Sequence, residues 1–439
     1  MKKRILAACT AALMALLSVC SALPVSAEVK QPAARHETPT GYNDHDYQKM
    51  VAFLDIEDEN STKNGEKLSS SYDPSDPSTW VSSSSNWISW QEFDGELYLF
   101  DIYLRGYDLR GCLDVADCSG LEELVCYDCS INSLNASDCG SLARLHCQNN
   151  GLEMLNISGC SALEVLECQF NALTAIDLSG KPELWCLDCR FNSLSEIDVS
   201  GLEQLWYFDC SNNQLSELNV ENNTELNYFS CAVNHISELD VSNNTALEEF
   251  WCSSNALSEI NVSCNTALKT FGCVFNNISE LDVSNNTRLE NLYCAYNLLT
   301  ELDLSNNPNF FFDHIRAEGS GTIGLRGKWA LAIPNEGASF LGWYTEGGDL
   351  ITDYWNDISQ NDTDSTRVVA CFGDADPVAG DADGSGAVDT TDALYVLRCA
   401  LGISGNAEEM LLNCDIDGNG MIDTTDALII LRMALGIIN

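Results

Sequence analysis

Across residues 121–309 the chain repeats one pattern of apolar and polar positions every 21 residues, nine times and without an insertion. The copies begin at Leu121, Leu142, Leu163, Leu184, Leu205, Leu226, Leu247, Leu268 and Leu289 and follow L-x-x-L/F-x-C-x-x-N-x-L/I-x-x-L/I-x-V. One such unit carries apolar side chains that it cannot bury alone, so the units must stack and share a continuous core. Strands stacked at about 4.8 Å make a solenoid about 43 Å long over nine repeats.

This pattern resembles the leucine-rich repeat, whose periods run from roughly 20 to 29 residues. The resemblance implies a solenoid with a parallel β ladder on its concave side and an irregular or short helical convex side. Position 6, usually Leu in that class, is Cys in all nine copies, from Cys126 and Cys147 onward to Cys294. A buried Cys behaves as a small hydrophobe. Parallel, in-register side chains point the same way, which suits disulfide geometry badly. The column is therefore expected to be packed free thiols, even in a chain with 21 cysteines. Cys118, Cys139 and Cys160 form a second, shorter column at position 19. The Asn at position 9, as in Asn150 and Asn297, is expected to bond turn backbone from inside, with Cys129 in its place in the first repeat. Ligand contacts on solenoids usually lie at the concave positions 3, 5, 7 and 8. The concave candidates are Glu167, Asp188, Tyr207, Asp209, Tyr228, Trp251 and Tyr293, with Phe170, Phe191, Phe275 and Tyr296 at position 8. Carboxylates and aromatics on one surface suit a protein or a glycan. The alternative is a variable surface whose aromatics pack on one another.

The flanks differ in character. Within residues 28–120, the stretch 44–56 reads as an amphipathic helix with an Asp near its start. Ser-rich sequence, a Trp87-Ile88-Ser89-Trp90 run and a first repeat-like Leu113-Asp114-Val115 follow. That order resembles an N-terminal leucine-rich-repeat cap, which hides the first core layer of a solenoid. Residues 310–373 hold turn glycines between β-prone runs, including Phe340-Leu341-Gly342-Trp343-Tyr344. They resemble the small β modules that follow leucine-rich repeats in bacterial surface proteins, and are expected to act as a spacer that caps the far end. Pro377 and Gly380 mark a linker at 374–380.

Residues 381–439 carry two near-copies of one acidic loop, D-A-D-G-S-G-A-V-D-T-T-D at 381–392 and D-I-D-G-N-G-M-I-D-T-T-D at 415–426. Oxygen-bearing side chains stand at positions 1, 3, 5, 9 and 12 and Gly at position 6, the ligand spacing of a calcium loop. The candidate ligands are Asp381, Asp383, Ser385, the carbonyl of Ala387, Asp389 and Asp392 in the first loop. In the second they are Asp415, Asp417, Asn419, the carbonyl of Met421, Asp423 and Asp426. Position 12 is Asp where a sensor EF-hand has Glu, and a helix-forming run follows each loop but does not precede the first. A duplicated loop-then-helix with Asp at position 12 resembles a type I dockerin module. The resemblance implies two Ca2+ ions and a small all-α fold. It also implies a cohesin partner on a scaffoldin or cell surface, in a cellulosome-type polysaccharide-degrading assembly. The residues it assigns to cohesin contact are Thr390, Thr391, Leu397 and Arg398 in one copy and Thr424, Thr425, Leu431 and Arg432 in the other. Because the copies match, either helix could face the partner.

Lys2-Lys3-Arg4, an apolar run and Val25-Ser26-Ala27 read as a secretory signal cleaved before Glu28. A formal net charge of −45 excludes nucleic acid and anionic membrane surfaces as ligands, because like charges repel. An enzyme that cleaves polysaccharide needs two carboxylates across a cleft, and the non-repeat segments are short for such a domain. A Cys–His pair is the other catalytic candidate, but among five His only His146 sits on the concave face, next to an inward-pointing Cys147. The sequence therefore points to a binding protein; a surface adhesin and a structural subunit are the alternatives, and a polysaccharide-active enzyme is disfavoured.

Overall fold

The computed structural model describes residues 35–82, 85–353, 356–374, 388, 390–400, 414, 416, 422 and 424–435. The expected signal segment, the linker after residue 374 and most of both acidic loops lie outside the described residues.

Positions 3 to 5 of every repeat form a three-residue strand, from Glu123–Val125 to Asn291–Tyr293. Neighbouring strands pair parallel and in register, so that Tyr207 lies beside Tyr228 and Phe208 beside Phe229. The register places like residues on one another along the whole ladder. At position 4, Phe208, Phe229, Phe250 and Phe271 are wholly buried, with successive rings stacked at 5.6, 5.4 and 5.4 Å. At position 6 all nine Cys are buried and free, as the spacing implied. Desolvation pushes these thiols up, to about 12 at Cys147 and Cys294, so they carry no thiolate at neutral pH. Alkylation of the native protein at pH 8 should therefore label the exposed Cys264 first and spare the position-6 column until the chain is unfolded in urea. Peptide mass spectrometry reads the difference, and early labelling of Cys210 or Cys252 would show that the column is not sealed.

The Asn ladder at position 9 also forms. The Asn234 amide donates to the carbonyls of Cys210 and Cys231 at 3.1 and 3.0 Å, and its oxygen accepts the Leu215 N–H at 3.0 Å. Asn234→Ala would orphan the Leu215 N–H and leave the Cys210 and Cys231 carbonyls to Asn213 and Asn255 alone, and a loss of about 1–3 kcal/mol is expected in urea unfolding. Just before each ladder Asn, position 8 takes a left-handed backbone in every repeat, with φ of 57° even at the β-branched Val233. The chain must leave the strand sharply there while keeping its N–H bonded to the next repeat, as Phe191 does to Ser211 at 3.0 Å. Solenoid closure thus overrides the local preference of bulky residues.

The convex side takes the irregular one of the two expected forms. Strands Arg110–Asp114, Ser130–Asn135 and Met154–Asn156 form a parallel sheet there, and the later repeats continue as bends and turns. Among the described residues no helix lies within 121–309, so the short helices do not form. A 21-residue unit leaves little chain for them, and Asx turns fix what remains, as where Asp177 and Asp198 accept the N–H of Ser179 and Ser200 at 2.9 Å.

Both ends are closed by elements that join the same core. Helix Asp44–Leu54 is capped by Asn43, whose side chain accepts the Asp46 N–H, and it buries Tyr47, Met50, Val51, Phe53 and Leu54. Hairpin Trp87–Phe93 and Glu96–Tyr103 then leads into the first ladder strand. At the other end, strand Gly321–Gly327 pairs antiparallel with Asn291–Tyr293 and extends the ladder sheet. A second sheet of five strands carries Ile315, Trp343 and Val368 into the repeat core. Residues 310–373 therefore cap the far end of the solenoid and share its core. Gly324 permits the approach: a Cβ there would lie 2.5 Å from the Ala295 Cα.

Candidate functional site

The concave ladder divides into a closed half and an open half. In the closed half, position 3 carries Val165, Cys186, Tyr207 and Tyr228, all buried, beneath partly exposed Trp185 and Trp206. The Tyr207 and Tyr228 rings stack at 4.5 Å with their planes 8° apart. Beside them, at position 5, Asp188 and Asp209 are buried at 3% and 2% exposure. The Arg190 guanidinium lies between, 3.5 Å from Asp188 and 3.4 Å from Asp209. Burial pushes both carboxyls up from the usual carboxylate range; the charge of Asp209 pushes Asp188 further, and Arg190 draws both back.

Of the seven concave candidates, Asp188, Tyr207, Asp209 and Tyr228 are thus packed away from any ligand. Their alternation in sequence does place them on the outward-facing side of the strand. However, in-register stacking brings like side chains close enough to cover one another. Glu167 stays half-buried, its carboxylate 2.9 Å from the His146 Nδ1. Trp251 and Tyr293 remain partly exposed in the open half. Glu249, Thr270 and Asn291 stand beside them at position 3, also partly exposed, and the sequence reading did not include them. Gly272 was the signal: it stands between the two aromatic residues of position 5, Trp251 and Tyr293. The position-8 aromatics are exposed but pair face to face, Phe170 with Phe191 and Phe275 with Tyr296, both at 4.5 Å. No Cys–His pair forms at His146, since Cys147 lies in the core with its thiol pushed up to about 12.

A second core lies near the C-terminus. Helices Thr390–Ala400 and Thr424–Ala434 bury Ala393, Val396, Ala427 and Ile430 with Cys414. Asp392 and Asp426, the last candidate ligand of each loop, sit in the first turns of these helices at 0% exposure. The Asp426 carboxylate accepts the Ile416 N–H at 2.9 Å, which ties the end of its loop back to the beginning. Two wholly buried carboxylates at equivalent places in so small a core fit a bound cation, which offsets their desolvation. The other ten candidate ligands, Asp381, Asp383, Ser385, Ala387, Asp389, Asp415, Asp417, Asn419, Met421 and Asp423, lie outside the described residues. Residues 379–434 match the Dockerin type I domain family.

The chain carries a type I dockerin domain. Domains of this type generally bind calcium and dock to cohesins. Within the dockerin domain, Thr390, Thr424, Thr425 and Arg432 are exposed and Leu397 and Leu431 are half-buried against the core. Thr391 and Arg398 lie on the first helix, and their side chains are outside the described residues. Leu394 and Leu428 are a further matched pair, two residues after each closing Asp and 55% and 52% exposed. Their signal in the sequence was an apolar residue off the buried face of each helix, at the same place in both copies.

Solved structures similar to part of the chain include the following two. The functional domain of InlJ from Listeria monocytogenes, which includes a cysteine ladder, is 22% identical over 60% of this chain and 78% of its own, with a TM-score of 0.41. YopM, a leucine-rich effector protein from Yersinia pestis, is 20% identical over 46% of this chain and 61% of its own, with a TM-score of 0.40. No curated protein matches the chain. Among the described residues, no helix is long and apolar enough to cross a membrane.

Proposed function

We propose that this is a secreted, non-catalytic binding protein. Its dockerin domain, ordered by two calcium ions, docks it to a cohesin on a scaffoldin or cell surface in a polysaccharide-degrading assembly. Its solenoid holds a ligand on the open half of the concave face. The observation that carries the docking half is the matched pair of buried carboxylates, Asp392 and Asp426, each starting a helix with an exposed Thr and an exposed Leu nearby. The Ca2+ would be held by oxygen donors alone, which suits a hard cation, and would fix the loops against both helices. Thr390, Thr391, Leu397 and Arg398, or their equivalents Thr424, Thr425, Leu431 and Arg432, would then meet the cohesin, with Leu394 or Leu428 adding apolar area.

Against catalysis stands the state of the concave acids. Glu167 is engaged by His146 and Asp188 and Asp209 are buried around Arg190, which leaves Glu249 as the one of these four on the open half, without the facing pair that glycoside hydrolysis requires. Purified protein incubated with soluble polysaccharides should release no reducing ends above background. Turnover that disappears on Glu167→Gln or Glu249→Gln would show that the chain is an enzyme.

A further inference from the structure

The open half of the concave face has a geometry that the closed half lacks. Trp251, Gly272 and Tyr293 are direct neighbours along the ladder at position 5. Elsewhere the aromatic columns stack ring on ring, so each offers only an edge to solvent, as in the Tyr207–Tyr228 pair. Gly272 breaks that arrangement. A Cβ at Gly272 would lie 2.2 Å from an indole carbon of Trp251, so the indole occupies the space that any side chain there would fill. Trp251 therefore leans across Gly272 until its ring lies 5.3 Å from that of Tyr293, with the two planes 37° apart. The indole thus fills the gap between the Tyr207–Tyr228 cluster, against which it packs, and Tyr293, and it stays partly exposed on the concave side. Beside this platform runs a polar row from the same three strands: the carboxylate of Glu249, the hydroxyl of Thr270 and the amide of Asn291.

We infer that Trp251 and Tyr293, with Glu249, Thr270 and Asn291 alongside, form a subsite for a sugar ring of a neutral polysaccharide. A pyranose presents C–H groups on one face, which pack on an aromatic plane, and hydroxyls around its rim, which need donors and acceptors together. The platform and the row supply both. Charge selects among glycans: an acidic sugar would meet Glu249 in a chain of net charge −45. A basic peptide would find Glu249 beside Glu248, whose carboxylate Lys269 already engages at 2.7 Å, whereas the paired carboxylates of the closed half are buried. The ladder direction gives a glycan chain a straight track along the open strands.

This inference rests on the reading of the concave face as a ligand surface, and one experiment separates the two. Native electrophoresis of the full chain through gels containing β-glucan, galactomannan or polygalacturonate reads binding as retardation. At least one neutral glycan should retard the wild type and polygalacturonate should not. Trp251→Ala and Tyr293→Ala should each weaken retardation about tenfold, the size of a lost stacking contact. Phe275→Ala, whose ring is spent on Tyr296, should bind as the wild type does. Melting temperatures of all three variants check that the solenoid is intact. Absence of retardation by the neutral glycans, or retardation indifferent to both Trp251→Ala and Tyr293→Ala, overturns the subsite. A purified protein ligand that needs Trp251 while the glycans fail would also overturn it, yet would leave the concave-face reading standing. If folded Trp251→Ala and Tyr293→Ala match the wild type towards every ligand tried, both readings fall.

Discussion

Changing Asp392 and Asp426 together to Asn should abolish cohesin binding, by at least about 100-fold or roughly 2.8 kcal/mol. Either change alone should cost far less. Each Asp is wholly buried in the first turn of its helix, and each is the proposed last ligand of one calcium loop. Asn keeps the shape but removes the charge and one acceptor oxygen, and calcium affinity follows ligand charge. Because metal binding and loop folding are one step, a weakened site disorders the helix start that carries the exposed Thr390 or Thr424. The copies match in sequence, so loss of one leaves a second helix that can still face the partner. A binding titration against cohesin in calcium distinguishes the variants. Equal losses from one single change and from the double would mean that only one copy docks. No loss from the double would mean that these carboxylates do not hold the metal.

Phe250→Ala should destabilise the solenoid by about 3–5 kcal/mol, the range for emptying a well-packed aromatic site. Phe250 is wholly buried between Phe229 and Phe271, with ring centroids 5.4 Å away on both sides. Each repeat touches only its neighbours, so the cavity cannot be filled from elsewhere. Phe250→Leu is the internal control, because Leu occupies the same position at Leu187 and Leu292. It should cost under about 1.5 kcal/mol as a repacking change. Urea unfolding of the two variants beside the wild type measures both. Near-equal stabilities would show that the stacked Phe column is not the core of these repeats.

Much of the molecule was legible in the sequence because a 21-residue period repeated nine times averages away local ambiguity. The Cys at position 6 and the Asn at position 9 declared their inward places by recurring with the ladder. The dockerin domain was legible because its loop pattern sets residue types at fixed spacing, and the family match covers residues 379–434. What escaped depends on contacts between repeats. Position 19 was noticed only as Cys118, Cys139 and Cys160, yet it continues as Asn223, Asn244, Asn265, Asn286 and Asn307. Cys160 donates to the Ala136 carbonyl and Asn223 to the Val199 carbonyl, the same acceptor one repeat back, so thiol and amide share one role. Likewise, strand alternation placed Asp188 and Tyr207 on the concave side correctly, but could not show that their in-register neighbours would bury them. The union of residues 310–373 with the solenoid follows from the antiparallel pairing of Gly321–Gly327 with the last repeat, which no local pattern encodes.

The most direct measurement is a calorimetric titration of cohesin into the full chain, first stripped of metal by a chelator and then resupplied with calcium. A protein that is docked through its paired loops should bind no cohesin when stripped, should take up two calcium ions, and should then bind cohesin. Cohesin binding of equal strength in the stripped chain, or none after calcium is restored, would contradict it.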